Sequence, residues 1–129
     1  MKNYLPLLLF TLLSWNLSAQ CPSGDVILLT QAEVNTFAAT YPNCTDVSGN
    51  LQIGPSTGTS DITDLTGLSG LTSVGGLLVI INNAALTSLT GLEGVTSVGF
   101  GLGIINNAAL TTLTGFDALT FMGGYLYID

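Results

Sequence analysis

An eight-residue run, Ile80-Ile81-Asn82-Asn83-Ala84-Ala85-Leu86-Thr87, returns unchanged 24 residues later as Ile104-Ile105-Asn106-Asn107-Ala108-Ala109-Leu110-Thr111. Recurrence at a fixed period constrains the fold more than any other feature of the chain. A unit this short cannot bury its apolar edge alone, so copies must stack and cover one another. The register extends beyond the identical run: Val47 to Ile53 aligns with Val74 to Ile80, Val98 to Ile104 and Met122 to Ile128, at offsets of 27, 24 and 24 residues. The first interval is longer because Gly54-Pro55-Ser56-Thr57-Gly58-Thr59 is turn-rich and bulges out before the pattern resumes.

Each copy holds a short strand whose alternate residues are large and aliphatic: Leu51 and Ile53, Leu78 and Ile80, Leu102 and Ile104, Leu126 and Ile128. A period of two places these eight side chains on one face, an inward ladder. The opposite face carries Asn50 and Gln52, then Leu77, Val79 and Ile81, then Gly101, Gly103 and Ile105, then Tyr125, Tyr127 and Asp129. Asn82-Asn83 stacks over Asn106-Asn107 at a corner, where asparagine tolerates left-handed backbone and its amide satisfies groups that a turn leaves free. The remainder of each unit spaces its apolar residues by three: Leu65, Leu68, Leu71, Val74; Leu89, Leu92, Val95, Val98; Leu113, Phe116, Leu119, Met122. With Gly67, Gly91 and Gly115 in register, this fits an irregular or 3₁₀ return better than an α-helix, which would drift off a three-residue period.

Composition narrows the function. Charged residues make up 7% of the chain against 47% hydrophobic, so the polar surface must come from Thr, Ser, Asn and Gly. The one basic residue is Lys2, the net charge is −7, and there is no His. A chain without bases beyond its leader cannot neutralise phosphates, which excludes ordinary electrostatic binding to nucleic acid or an anionic membrane surface. The commonest general base and metal ligand is also missing.

At 129 residues the chain has room for one small domain behind a leader. Met1-Lys2-Asn3, a largely apolar Leu5 to Leu17, and small residues before Gln20 read as a secretory signal, residues 1–19, cut after Ala19. The apolar stretch is too short to span a bilayer comfortably, so no membrane insertion is expected after cleavage. Secretion puts Cys21 and Cys44 in an oxidising compartment, where a single pair has one way to form a disulfide. Closing that loop contributes about 3 kcal/mol in the chain-entropy treatment. Residues 20–46 then read as an amino-terminal cap: a short buried strand at Val26-Ile27-Leu28-Leu29, and a helix from Gln31 to about Tyr41. Thr30 and Glu33 stand at capping-box spacing at its start, Val34, Phe37, Ala38 and Tyr41 form its apolar face, and Pro42 ends it. Residues 47–129 are the repeats. Asn43-Cys44-Thr45 matches a glycosylation acceptor but carries no weight without a host that uses it.

These residues carry a resemblance. Leu65-Thr66-Gly67-Leu68-Ser69-Gly70-Leu71-Thr72-Ser73-Val74-Gly75-Gly76 and the matching stretch from Leu86 to Gly99 are similar to the receptor L-domain type of leucine-rich repeat in secreted proteins of the Bacteroidetes group. The start, with Leu29-Thr30-Gln31-Ala32-Glu33-Val34 and Tyr41-Pro42-Asn43-Cys44, resembles the amino-terminal cap of the same proteins. The resemblance implies a mainly β, right-handed parallel β-solenoid with rungs of about 24 residues, and a secreted or cell-surface recognition or adhesion module, on the bacterial outer-membrane exterior. No closing cap follows Asp129, so the sequence predicts either an amino-terminal part of a longer protein or self-association through Tyr125 to Asp129.

The expected function is therefore non-catalytic binding of a protein or glycan through the exposed sheet face, with Asn50, Gln52, Leu77, Val79, Tyr125 and Tyr127 as the candidate contacts. No cofactor, metal ligand set or catalytic residue is expected. An alternative is a polysaccharide-acting enzyme running on carboxylates alone: Asp25, Glu33, Asp46, Asp61, Asp64, Glu93, Asp117 and Asp129, of which Asp61 and Asp64 form the close pair after Glu33. It has no cation, His or second pair to position a substrate. The same pair beside Gly58-Thr59-Ser60 could instead take a calcium ion, which wants six to eight oxygens, but few other acids stand near it in the sequence. A third alternative is an ice-binding array built on the columns Thr63, Thr87, Thr111 and Thr66, Thr90, Thr114, although these lie on the return path and not on a strand.

Overall fold

The computed structural model describes residues 20–129; the expected signal segment and its cleavage point lie outside the described residues. In chain order the elements are β1 (Val26–Leu28), α1 (Gln31–Thr40), β2 (Asp46–Val47), β3 (Leu51–Ile53), a 3₁₀ turn η1 (Thr66–Leu68), β4 (Ser73–Val74), β5 (Leu77–Ile81), β6 (Ser97–Val98), β7 (Gly101–Ile105), β8 (Phe121–Met122) and β9 (Tyr125–Ile128). They form two parallel sheets, a larger one in the order β1-β3-β5-β7-β9 and a smaller one in the order β2-β4-β6-β8.

The register follows the sequence alignment. Leu51 pairs with Leu78, Leu78 with Leu102 and Leu102 with Leu126, while Val47, Val74, Val98 and Met122 line up across the smaller sheet. Parallel neighbours need a crossover, and here each crossover passes through a strand of the other sheet, so the two sheets share one core.

The expected mainly β, right-handed parallel β-solenoid is corrected by this arrangement. The described chain is an α/β-type fold of two parallel sheets and one α-helix, with 25% of residues in strand and 12% in helix. The physical reason lies in the apolar returns, which are neither strand nor continuous 3₁₀ helix. They are chains of three-residue turns: Leu68 N bonds Leu65 O, Leu71 N bonds Leu68 O, and the same steps recur at Leu89, Leu92 and Val95 and at Leu113, Phe116 and Leu119. Each turn brings the next apolar side chain inward, and only Thr66–Leu68 is regular enough to count as 3₁₀ helix. Strands of two residues in the smaller sheet leave most of the backbone in turns.

The core is the expected ladder with its returns. Leu51, Ile53, Leu78, Ile80, Leu86, Leu89, Leu92, Val95 and Val98 are fully buried, and Leu102 and Ile104 nearly so. The last pair departs from expectation: Leu126 and Ile128 are 51% and 50% exposed, because β9 has β7 on one side and no strand on the other. Close approach of successive turns selects glycine at one column. A Cβ on Gly99 would lie 1.9 Å from the Gly75 carbonyl oxygen, and a Cβ on Gly123 the same distance from that of Gly99.

At the amino-terminal end, Cys21 and Cys44 are joined in the expected disulfide. The Thr30 hydroxyl accepts from Glu33 N and the Glu33 carboxylate accepts from Thr30 N, completing the capping box. Val34 and Phe37 are the buried residues of α1; Ala38, expected on the same face, is exposed. β1 ends one residue before Leu29 and alternates, with Ile27 57% exposed, so it is a half-buried edge strand and not the wholly buried one expected.

Candidate functional site

The face of the larger sheet turned away from the core is built in rows. One row runs Ile27, Gln52, Val79, Gly103, Tyr127, and beside it run Leu77, Gly101 and Tyr125. All six expected contacts lie on or beside this face, yet they divide by what their polar atoms already do. Asn50 Oδ1 accepts from Leu77 N at 2.7 Å, and Asn50 N donates to Asp25 Oδ1 at 2.8 Å. Gln52 Nε2 donates to Gly54 O at 2.8 Å and to the Ser56 hydroxyl, tying down the loop that the repeat register had marked as inserted. These two amides therefore hold the scaffold together.

The remaining candidates form an apolar and aromatic surface. Leu77 and Val79 are half-buried on β5, while Tyr125 and Tyr127 are 61% and 51% exposed on β9. Between them β7 presents Gly101 and Gly103. A Cβ on Gly101 would meet Tyr125 O at 2.8 Å, so packing accounts for that glycine. Gly103 has no such reason: its nearest neighbours would be Ile105 and Val79 methyl groups at 3.7 and 3.9 Å, ordinary contact distances. A glycine inside a strand weakens it and often marks close approach of a ligand or another backbone. Gly103 is the residue that sequence reasoning left out of the candidate set, and its signal was the break in an otherwise bulky outward row.

The carboxylates are mostly engaged. Asp25 accepts from Asn50 N, Glu33 caps α1, Asp61 Oδ1 accepts from Gln31 N, Asp64 Oδ1 from Thr66 N, and Glu93 Oε2 from Gly91 N. Asp61 thus braces the start of α1, while the Asp64 carboxylate closes a local turn onto Thr66. Asp46 sits on the smaller sheet under three hydroxyls, Ser73 and Thr45 at 2.6 Å and Thr72 at 3.2 Å. Donation from Ser73 first, then from Thr45 and Thr72, holds its carboxyl below the ordinary aspartate value. Asp64 is lowered by the Thr66 hydroxyl and then by the Thr66 backbone N–H. Among the described residues no group of three or more His, Cys, Asp or Glu is placed to hold a metal ion.

The asparagine corner is a column of hydrogen bonds. Asn82 and Asn106 adopt left-handed backbone, with φ of 57° and 54°. Asn83 is fully buried and Asn107 is 7% exposed. Asn83 Nδ2 donates to Ile53 O, Asn107 Nδ2 to Ile80 O, and Asn107 Oδ1 accepts both Asn83 N and Asn83 Nδ2. A column of exposed threonines is bonded along the stack: Thr72, Thr96 and Thr120 each donate to a backbone carbonyl in the preceding layer, and Thr112 shares a bond with Thr114.

No protein-family model, curated protein or solved structure matches this chain. The resemblance to leucine-rich repeats rests on its own residues. No helix among the described residues is long and apolar enough to cross a membrane.

Proposed function

We propose that this chain is a non-catalytic recognition or adhesion module, exported to the cell surface or beyond, which takes a protein or glycan ligand on the outward face of its larger sheet. The observation that carries the reading is the row in which Gly103 lies between Val79 and the exposed Tyr127, with Tyr125 beside Gly101 in the neighbouring row. Tyrosine offers a large, stiff ring with a polar tip, a surface that suits a sugar ring or a partner side chain equally. The leucine-rich pattern and the apolar leader support export and display.

The test is a combined glycan and protein array probed with the purified chain. A ligand held by wild type is expected to be lost by both Tyr127→Ala and Gly103→Val, with the circular dichroism spectrum and thermal midpoint preserved. Gly103→Val is the sharper probe, because valine favours a strand and its Cβ would meet only methyl groups at ordinary contact distance. Unchanged binding by both variants would move the site off this face.

A further inference from the structure

One face of the larger sheet lies on the core, and α1 packs against η1 and the end of β1, so no element among the described residues covers the other face. All-parallel sheets occur almost only with both faces covered. This one leaves Ile27, Tyr125 and Tyr127 more than half exposed, and Leu77, Val79, Ile81 and Ile105 half-buried. Charge narrows what the cover is. Glu33, Asp46, Asp61, Asp64, Glu93 and Asp117 lie on the helix, the smaller sheet or the returns, and Asp25 and Asp129 stand at the ends of the outward rows. The middle of the face is neutral and offers nothing to a strongly charged partner. It is also a surface on which two chains of net charge −7 meet without opposing carboxylates.

The relief of the face fits itself in one orientation. Across the sheet the central row runs Ile27 on β1, Gln52 on β3, Val79 on β5, Gly103 on β7 and Tyr127 on β9. A two-fold axis parallel to the strands and over β5 lays β9 on β1 of another copy and β7 on β3, while Val79 meets its own counterpart. The glycine row then receives Gln52 of the second copy. The tall tyrosine row meets β1, whose outward side chain is Ile27 alone. An axis across the strands would instead set tyrosine on tyrosine and glycine on glycine, propping the sheets apart over an empty row. The first arrangement gives Gly103 a reason that packing within one chain does not, since a Cβ there meets nothing closer than 3.7 Å.

We propose that the partner of this face is a second copy of the same chain, packed sheet on sheet about the axis parallel to the strands. The proposal rests on the reading of the outward face as the recognition surface and names the protein it takes. The face is five strands wide and five residues long, about 20 Å by 16 Å at ordinary strand spacing and rise. Two such faces bury on the order of 1,000 Å² together, the low end of specific interfaces. A contact of that size is weak singly and strong in number, which suits adhesion between copies displayed on facing surfaces.

Sedimentation of the purified chain is expected to show a monomer–dimer equilibrium with a dissociation constant on the order of 100 μM. Added salt should tighten it, because it screens the like charges. A short bismaleimide should join Val79→Cys to itself. It should join Ile27→Cys to Tyr127→Cys in an equimolar mixture, and neither of those two to itself. Val79→Asp, which sets like charges together at the axis, should weaken the dimer at least about tenfold. The proposal is overturned by a monomer at every concentration up to about ten times that constant, by Tyr127→Cys joining itself as readily as it joins Ile27→Cys, or by a dimer that Val79→Asp leaves intact. A monomer whose array ligand is lost in Gly103→Val would overturn the second copy and leave the recognition face standing; a monomer whose array binding Gly103→Val leaves unchanged would overturn both.

Discussion

Asp46 shows how a single residue's role in this chain is set from the neighbouring layer. It precedes Val47, Ser73 precedes Val74, and the pairing of the two valines places a hydroxyl 2.6 Å from the carboxylate. With the folded pKa below the ordinary 3.8, the stabilising contribution is complete above about pH 4 and is lost as pH falls through the folded value. Carboxyl titration by NMR is expected to find Asp46 below 3.8 in wild type and shifted back toward it in Ser73→Ala; an unchanged value would remove Ser73 as the cause. The alignment that pairs Val47 with Val74 already places Asp46 beside Ser73, so this contact was legible in the sequence. The use of Asp61 was not, because it depends on where a helix 30 residues earlier is laid down.

That helix illustrates the same divide among elements. Its start was readable from Thr30 and Glu33, since a capping box is local chemistry within four residues. Its anchoring was not. Gln31 Oε1 accepts from Thr63 N at 2.7 Å and Asp64 N at 3.0 Å, while Gln31 Nε2 donates to Asp64 O and Asn35 Oδ1, each at 2.8 Å. One amide joins the cap to the first return, and nothing in the local sequence distinguishes it from a solvent-facing glutamine. Gln31→Ala is expected to cost about 1 kcal/mol in urea denaturation, as backbone groups of residues 63 and 64 exchange their partner for water. Thr30→Ala, which removes only the cap, should cost about 1 kcal/mol. Equal and negligible effects would show that the cap is held mainly by the disulfide. Among the strands, pairing partners and inward faces followed directly from the period of two. The share of regular structure did not, because an apolar residue every third position is satisfied as well by a run of turns as by a helix or strand.

For the whole molecule, stacking makes stability depend on position along the stack. Leu51 and Leu78 sit between layers and are fully buried, Leu102 is 3% exposed, and Leu126 in the same column is 51% exposed. The chemistry of the four is identical and the repeat makes them equivalent in sequence, so their differences measure neighbours alone. Leu78→Ala removes a side chain packed on both sides and is expected to cost about 3 kcal/mol, the range for a core leucine whose site cannot collapse. Leu126→Ala should cost less than about 1 kcal/mol, as for a surface substitution. Native-state amide exchange should follow the same order, slowest in β3 and β5 and fastest in β9, because protection tracks burial and local contact. If Leu126→Ala proves as damaging as Leu78→Ala in the purified chain, β9 is covered in solution. Such a result would direct attention to the edge of Leu126 and Ile128 as an occupied interface, whereas a graded series establishes that each layer draws its stability from the one stacked upon it.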